Sequence, residues 1–195
     1  MPVTDFTCMT ATLSNSNAVT ASIAQIAHEH PDIGVVINNA ALQYDMPLTA
    51  EDFDPARIID EVSINLIAPA LITQHLIKHA RLQAVVNISS GLAFFPKQNS
   101  ALYCATKAAL HNFSISLRYQ LAAQDILVSE AILPLVDTPM TSCRGSGKLT
   151  ADAAARAILD GVRKGRAEIY IGKAKLIPFF MRLAPSLGRK ILRGK

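Results

Sequence analysis

Three apolar runs in this chain stop abruptly on polar residues, and that pattern narrows the available folds more than any other feature. IGVVI (33–37) ends at Asn38-Asn39, AVVNIS (84–89) closes on Ser89-Ser90, and ILVSEAIL (126–133) leads within a few residues to Thr138. Short apolar runs without alternation read as strands buried on both faces, the habit of parallel sheets. The segments between them have helical spacing. Residues 16–29 carry Val19, Ile23, Ile26 and Ala27 on one face, with Asn15, Ser16 or Asn17 placed to cap them. Residues 56–81 and 101–123 predict two longer helices, and Thr150 caps a helix over 150–165 with Asp152 in its first turn. CMTATL (8–13) and AEIYIG (167–172) complete the series of strands. Strands that alternate with helices in this way predict a doubly wound α/β domain around a mostly parallel sheet.

Charge divides the chain at residue 173. Residues 173–195 hold seven Lys or Arg and no acid; without them 12 basic residues face 15 acidic ones. A mildly acidic body argues against a nucleic-acid-binding surface, and the basic, Leu-, Ile- and Phe-containing tail reads in two ways. It is either a peripheral contact with an anionic membrane or an extension that closes the pocket or packs at a subunit interface. No apolar run is long enough to span a bilayer, and the first ten residues lack the pattern of a signal peptide. Three cysteines without metal-ligand spacing predict a reducing cytoplasm, with the membrane surface as an additional location if the tail adsorbs.

In a doubly wound sheet, ligands bind beyond the carboxyl ends of the strands, where Asn38, Asn39, Ser89, Ser90 and Thr138 fall. Tyr103 and Lys107 are one helical turn apart and project from one face. A phenol ordinarily titrates near 10, too high for efficient proton transfer at neutral pH; a lysine ammonium beside it favours the phenolate. A serine hydroxyl can orient a carbonyl or alcohol oxygen and stabilise its developing charge. Taken singly, each residue has a bland reading: a half-buried helix tyrosine, a solvated lysine, a strand end entering a turn.

Jointly, Asn38-Asn39-Ala40, Asn65 in SINLIAP, Ser90 thirteen residues before Tyr103, Lys107 and VDTPM resemble the short-chain dehydrogenase/reductase family over about residues 8–172. The resemblance implies a Rossmann-type oxidoreductase that uses NAD or NADP to interconvert a carbonyl and a secondary alcohol. By position, Tyr103 is then the general acid/base, Lys107 lowers its pKa and holds the nicotinamide ribose, and Ser90 orients the substrate oxygen. Asn65 anchors a relay water at a break in its helix. Asn38, Asn39 and Ala40 line the cofactor ribose, and Thr138 lies near the nicotinamide and phosphates. The family habit also implies a homo-oligomer built on the helices at 56–81 and 101–123. Ala41 stands where the family usually has Gly, Leu133-Pro134 replaces Pro-Gly, and Thr12 falls where an Asp is common.

The larger departure is a missing loop. The family opens with a strand and a glycine-rich turn that receives the cofactor pyrophosphate. Here the first glycine is Gly34. The resemblance therefore begins at the third strand, so the expectation is a Rossmann-type domain over 1–172 without its first two strands, followed by the basic tail. IGVVI becomes a sheet edge, and CMTATL either shifts to pair with it or loses its neighbours. The alternative function is a catalytically silent remnant that serves as an interaction or oligomerisation module. Smaller signals carry less. RGSGKLT (144–150) lacks the pattern of a phosphate loop, and His75 and His79 have no evident third metal ligand. No metal site is expected. Cys104 reads as a small residue at a tight helix start rather than a redox thiol.

Overall fold

The computed structural model describes residues 7–192. Its main sheet has four parallel strands in the order β1-β2-β3-β6: β1 (Val35–Asn38), β2 (Ala84–Ser90), β3 (Leu127–Leu133) and β6 (Glu168–Tyr170). Asn38 pairs with Asn87 and Ser90 with Leu133, so the polar strand ends share one rim. A two-stranded parallel ribbon, β4 (Val136–Asp137) with β5 (Leu149–Thr150), closes the loop that follows β3.

Helices cover both faces because the strand side chains alternate. Val85 and Val128 point to α1 (Ser16–Glu29), α3 (Ala68–His79) and α4 (Ala101–Leu121), where they pack with Ile23, Ala27, Leu76, Leu117 and Leu121. Val86, Ile88, Ala131 and Ile169 point the other way, to α5 (Ala151–Arg163) and its Ile158. Asn15 caps α1 by accepting from Ala18 N at 3.0 Å, and Thr150 caps α5 by accepting from Ala153 N at 3.2 Å.

Two expectations change. CMTATL forms no strand; residues 7–12 run irregularly into a turn, because no strand lies beside them to take their hydrogen bonds. The helix expected over 56–81 is α2 (Ala56–Val62), a π turn (Ser63–Ile67) and α3. β1 stands at the edge of the described sheet, and on its α5 side Val35 and Ile37 are 48% and 45% exposed.

The basic tail is folded onto the body. Residues Gly172–Leu176 form a 3-10 turn, followed by α6 (Ile177–Leu183) and α7 (Pro185–Leu192). Ala174 and Ile177 pack with Phe95 and Ile132, and a Cβ on Gly188 would come within 2.6 Å of the Phe95 ring. The side turned away from the body carries Leu176, Phe179, Met181, Leu183, Leu187 and Ile191, all exposed. Among the described residues, no helix is long and apolar enough to cross a membrane.

Candidate active site

A cavity of about 670 Å³ opens along the rim of the sheet. β1 brings Asn39 and Ala40 to it; β2 brings Ser89 and Ser90; α4 brings Tyr103 and Lys107; and the segment after β3 brings Leu133, Pro134 and Thr138. Ser90, Tyr103, Lys107, Asn39, Ala40 and Thr138 thus line one cavity. Asn38 and Asn65 are outside it.

Asn38 differs from the expected ribose contact. Its amide is turned inward, donating to Asn87 Oδ1 at 2.8 Å and to Thr73 Oγ1 at 3.2 Å. Asn87 in turn donates to Ser114 Oγ at 2.9 Å, which donates to Leu110 O at 2.7 Å. This buried chain ties β1, β2, α3 and α4 together directly beneath the rim, and buried amides need such partners.

Asn65 is fully buried in the π turn. Its Oδ1 accepts from Leu42 N at 2.8 Å; its Nδ2 donates to Leu42 O at 2.8 Å and to Thr106 Oγ1 at 3.1 Å. The side chain pins the segment after β1 to the helix layer. A π turn often marks a functional position in a helix.

The Tyr103–Lys107 pair has an electrostatic character that its spacing alone does not reveal. Lys107 Nζ lies 5.7 Å from the centre of the Tyr103 ring and donates to Ile88 O at 2.9 Å. Burial pushes the Tyr103 hydroxyl up to about 12, although the neighbouring Ser90 hydroxyl and the Arg144 guanidinium act in the opposite sense. Burial also pushes Lys107 down to about 8, with Glu130 opposing it. The expected lowering of the phenol by Lys107 is not among the influences on Tyr103; desolvation dominates, and it disfavours both charged forms. In this state the Tyr103 hydroxyl stays protonated through the neutral range.

Glu130 was not singled out from the sequence. It comes from the middle of β3, is fully buried, and its Oε2 accepts from His111 Nδ1 at 2.6 Å. Its Oε1 has no partner among the described residues. Lys107 and His111 are one turn apart on α4, so Glu130 lies beneath both; the signal was an acid inside an otherwise apolar run.

A second polar cluster stands at the mouth of the cavity. Asp45 accepts from Lys97 Nζ at 2.8 Å and from Ser100 Oγ at 2.6 Å, and Arg144 Nε lies 3.6 Å away. Burial acts to raise the Asp45 carboxyl, but hydrogen bonds from Lys97 and Ser100 and the charges of Lys97 and Arg144 outweigh it and hold it below the usual range. Arg144 also donates to Gln43 Oε1.

The other candidates resolve simply. Lys148 of RGSGKLT donates to Thr141 O at 2.6 Å and Ser142 O at 3.2 Å, bracing its own loop. His75 and His79 face each other with ring centres 4.4 Å apart. Among the described residues, no three His, Cys, Asp or Glu gather as metal ligands. Cys104 is buried, and its Sγ accepts from Lys97 N at 3.3 Å.

A parallel sheet with a Tyr–Lys pair and a strand-end serine on one rim defines a class of dehydrogenases, and comparison places the chain within it. The family model for short chain dehydrogenases matches residues 3–148, and the chain belongs to that family. It is 38% identical over 154 residues to the uncharacterized oxidoreductase DltE of Bacillus subtilis (strain 168), a match covering 72% of this chain and 60% of that one. It is 30% identical over 115 residues to the human inactive hydroxysteroid dehydrogenase-like protein 1, covering 57% of this chain and 34% of that one. The chain thus spans less than two thirds of the length of these curated relatives. Among solved structures, a short chain dehydrogenase from Burkholderia cenocepacia J2315 in complex with NADP superposes with a TM-score of 0.79 at 24% identity. That match covers 92% of this chain and 77% of the other.

Proposed function

We propose that the chain carries the catalytic half of an NAD(P)-dependent oxidoreductase that interconverts a carbonyl and a secondary alcohol. The observation that carries this reading is the joint presence of Ser90, Tyr103 and Lys107 in the lining of one cavity. In the reducing direction Ser90 orients the carbonyl oxygen and Tyr103 delivers its proton to that oxygen as the alcohol forms. The high phenol pKa suits delivery. Lys107 sits behind it as a cation near neutral pH, favouring the phenolate that remains.

The cavity fits the nicotinamide-ribose half of the cofactor. Ser89 Oγ is buried without a partner at its wall, and Lys107 donates to one protein carbonyl only, leaving N–H groups for a ribose hydroxyl. Asn39, Ala40, Tyr103, Lys107 and Thr138 would hold that half, and Asn38 and Asn65 act one layer below by positioning the backbone. The bound cofactor would supply or accept the hydride. For the pyrophosphate half, the described residues offer no glycine-rich turn at a helix N-terminus. Titration of NADPH and then NADH, followed by nicotinamide fluorescence, tests the reading; the expected result is saturable binding, with turnover of small ketones abolished by Tyr103→Phe. A folded chain that binds neither nucleotide would overturn it.

A second reading, an interaction module without activity, is favoured by one observation: the apolar α5 side of β1 is left open. Two surfaces would then carry association. Ile59 and Tyr119 are exposed on the α2–α4 side proposed for self-assembly. The exposed apolar residues of α6 and α7, flanked by Lys173, Lys175, Arg182, Arg189 and Lys190, suit an anionic membrane. Flotation with anionic vesicles, compared with neutral ones, tests the latter; equal recovery would end it.

A further inference from the structure

We propose that the mouth of the cavity selects a carbonyl substrate bearing its own carboxylate, recognised by Arg144 with Lys97 in support. The proposal rests on the oxidoreductase reading and names its substrate class.

The argument begins with a charge imbalance. Among the described residues, three cations, Lys97, Lys107 and Arg144, line the cavity, and no Asp or Glu does. Lys107 is at the back, bonded to Ile88 O. At the mouth, Lys97 and Arg144 share one carboxylate, Asp45, which lies outside the lining. One positive charge there is unmatched by any acid in the cluster.

Arg144 is the cation free to change partner. Lys97 makes the short, two-oxygen contact with Asp45, at 2.8 and 3.0 Å. Arg144 has only the 3.6 Å approach through Nε, and its two terminal nitrogens rest on neutral acceptors, Gln43 Oε1 and Gln43 O. Replacing a neutral acceptor by a carboxylate strengthens a guanidinium hydrogen bond and permits a two-pronged one. Arg144 lines the same cavity as Tyr103 and Ser90. An anion held by Arg144 would therefore lie in the cavity that holds both hydroxyls. A neutral ketone gains none of this.

The test is direct binding without turnover. Phenylglyoxylate, acetoacetate and levulinate, each beside its methyl ester, are titrated into the full chain by calorimetry and saturation-transfer NMR. At least one acid is expected to bind about tenfold or more tighter than its ester, the worth of a charge-assisted contact. Arg144→Gln should weaken the acid by a similar factor and leave the ester unchanged, with Lys97→Gln following more weakly. Asp45→Asn gives the decisive sign: freeing both cations should tighten the acid. If Asp45→Asn weakens it instead, the cluster is only a structural clasp and the proposal fails. It fails also if no acid outbinds its ester, or if pyrophosphate displaces the acid with the same dependence on Arg144, since the cations would then serve the cofactor. Thermal melts of each variant identify loss of fold, and Arg144→Lys, which keeps the charge, should restore part of the acid preference. Failure of nicotinamide binding or turnover would sink the oxidoreductase reading while leaving this preference readable.

Discussion

The two ends of the β1–β2 pair make a contrast. At the carboxyl end, both strands stop on residues that find a role: Asn38, bonded to Asn87 of mid-β2 in the buried amide chain, and Ser89 and Ser90 at the cavity. Along the outer edge, β1 presents Val35 and Ile37 to solvent at about half exposure, although Val86 and Ile88 beside them on that face are buried. One region is over-determined by hydrogen bonds; the other has apolar surface with nothing described to cover it. The lesson is that the rim is tied together from within: the amide chain joins β1 and β2 to α3 and α4.

If that separation is real, the largest effect comes from Tyr103→Phe. Ketone reduction should fall by about two orders of magnitude or more, with the melting temperature kept and nucleotide affinity weakened by much less than turnover. A comparable fall in nucleotide affinity would mean that the phenol mainly builds the site. Next is Asn87→Ala, which strands Asn38 and Ser114 beneath the rim. Denaturant unfolding should show a loss of about 2 kcal/mol, from buried groups left unpaired. A neutral result would show that the rim is held elsewhere.

A change of the opposite sign is expected for Lys107→Met. Burial lowers Lys107 from the ordinary 10.5 to about 8. Between those values the unfolded chain binds a proton that the folded one does not, so stability rises with pH across that window. The cost of burying the ammonium is thus fully present below about pH 8 and gone above about 10.5. Lys107→Met should raise the melting temperature by about a few degrees at neutral pH, a gain that shrinks as pH rises. By the same titration, activity should decline as pH passes through about 8, when the cation is lost. The smallest effect belongs to the edge. Ile37→Lys should change monomer stability by less than about 0.5 kcal/mol, as exposed substitutions do. It should lower any concentration-dependent association seen by light scattering, since a charge blunts an open edge. Unchanged association would place self-assembly elsewhere, with the α2–α4 side next.

The elements read from spacing were those whose neighbours the chain itself supplies. α1, α4 and α5 fell within a residue or two of their expected ends, because caps such as Asn15 and Thr150 and the helical apolar period are local signals. CMTATL failed because a strand is defined by a partner, and no periodicity reports whether one is present. The π turn at Ser63–Ile67 left no mark on the helical period; the break at Asn65 was implied only by the family resemblance of SINLIAP.

The candidate site divides along the same line. Ser90, Tyr103, Lys107 and Thr138 were legible because their order and spacing are properties of the chain. That Asn38 looks inward and Asn39 outward depends on the pleat of β1 against β2, a pairing between residues 49 apart in sequence. The clustering of Gln43, Asp45, Lys97 and Arg144 was not legible at all, since three separate loops meet there. The sequence determined which chemical groups stand at strand ends and helix starts, since those follow from local period and caps. Tertiary structure alone decided which of them lose their water, and burial, not spacing, sets the proton affinity of Tyr103 and Lys107.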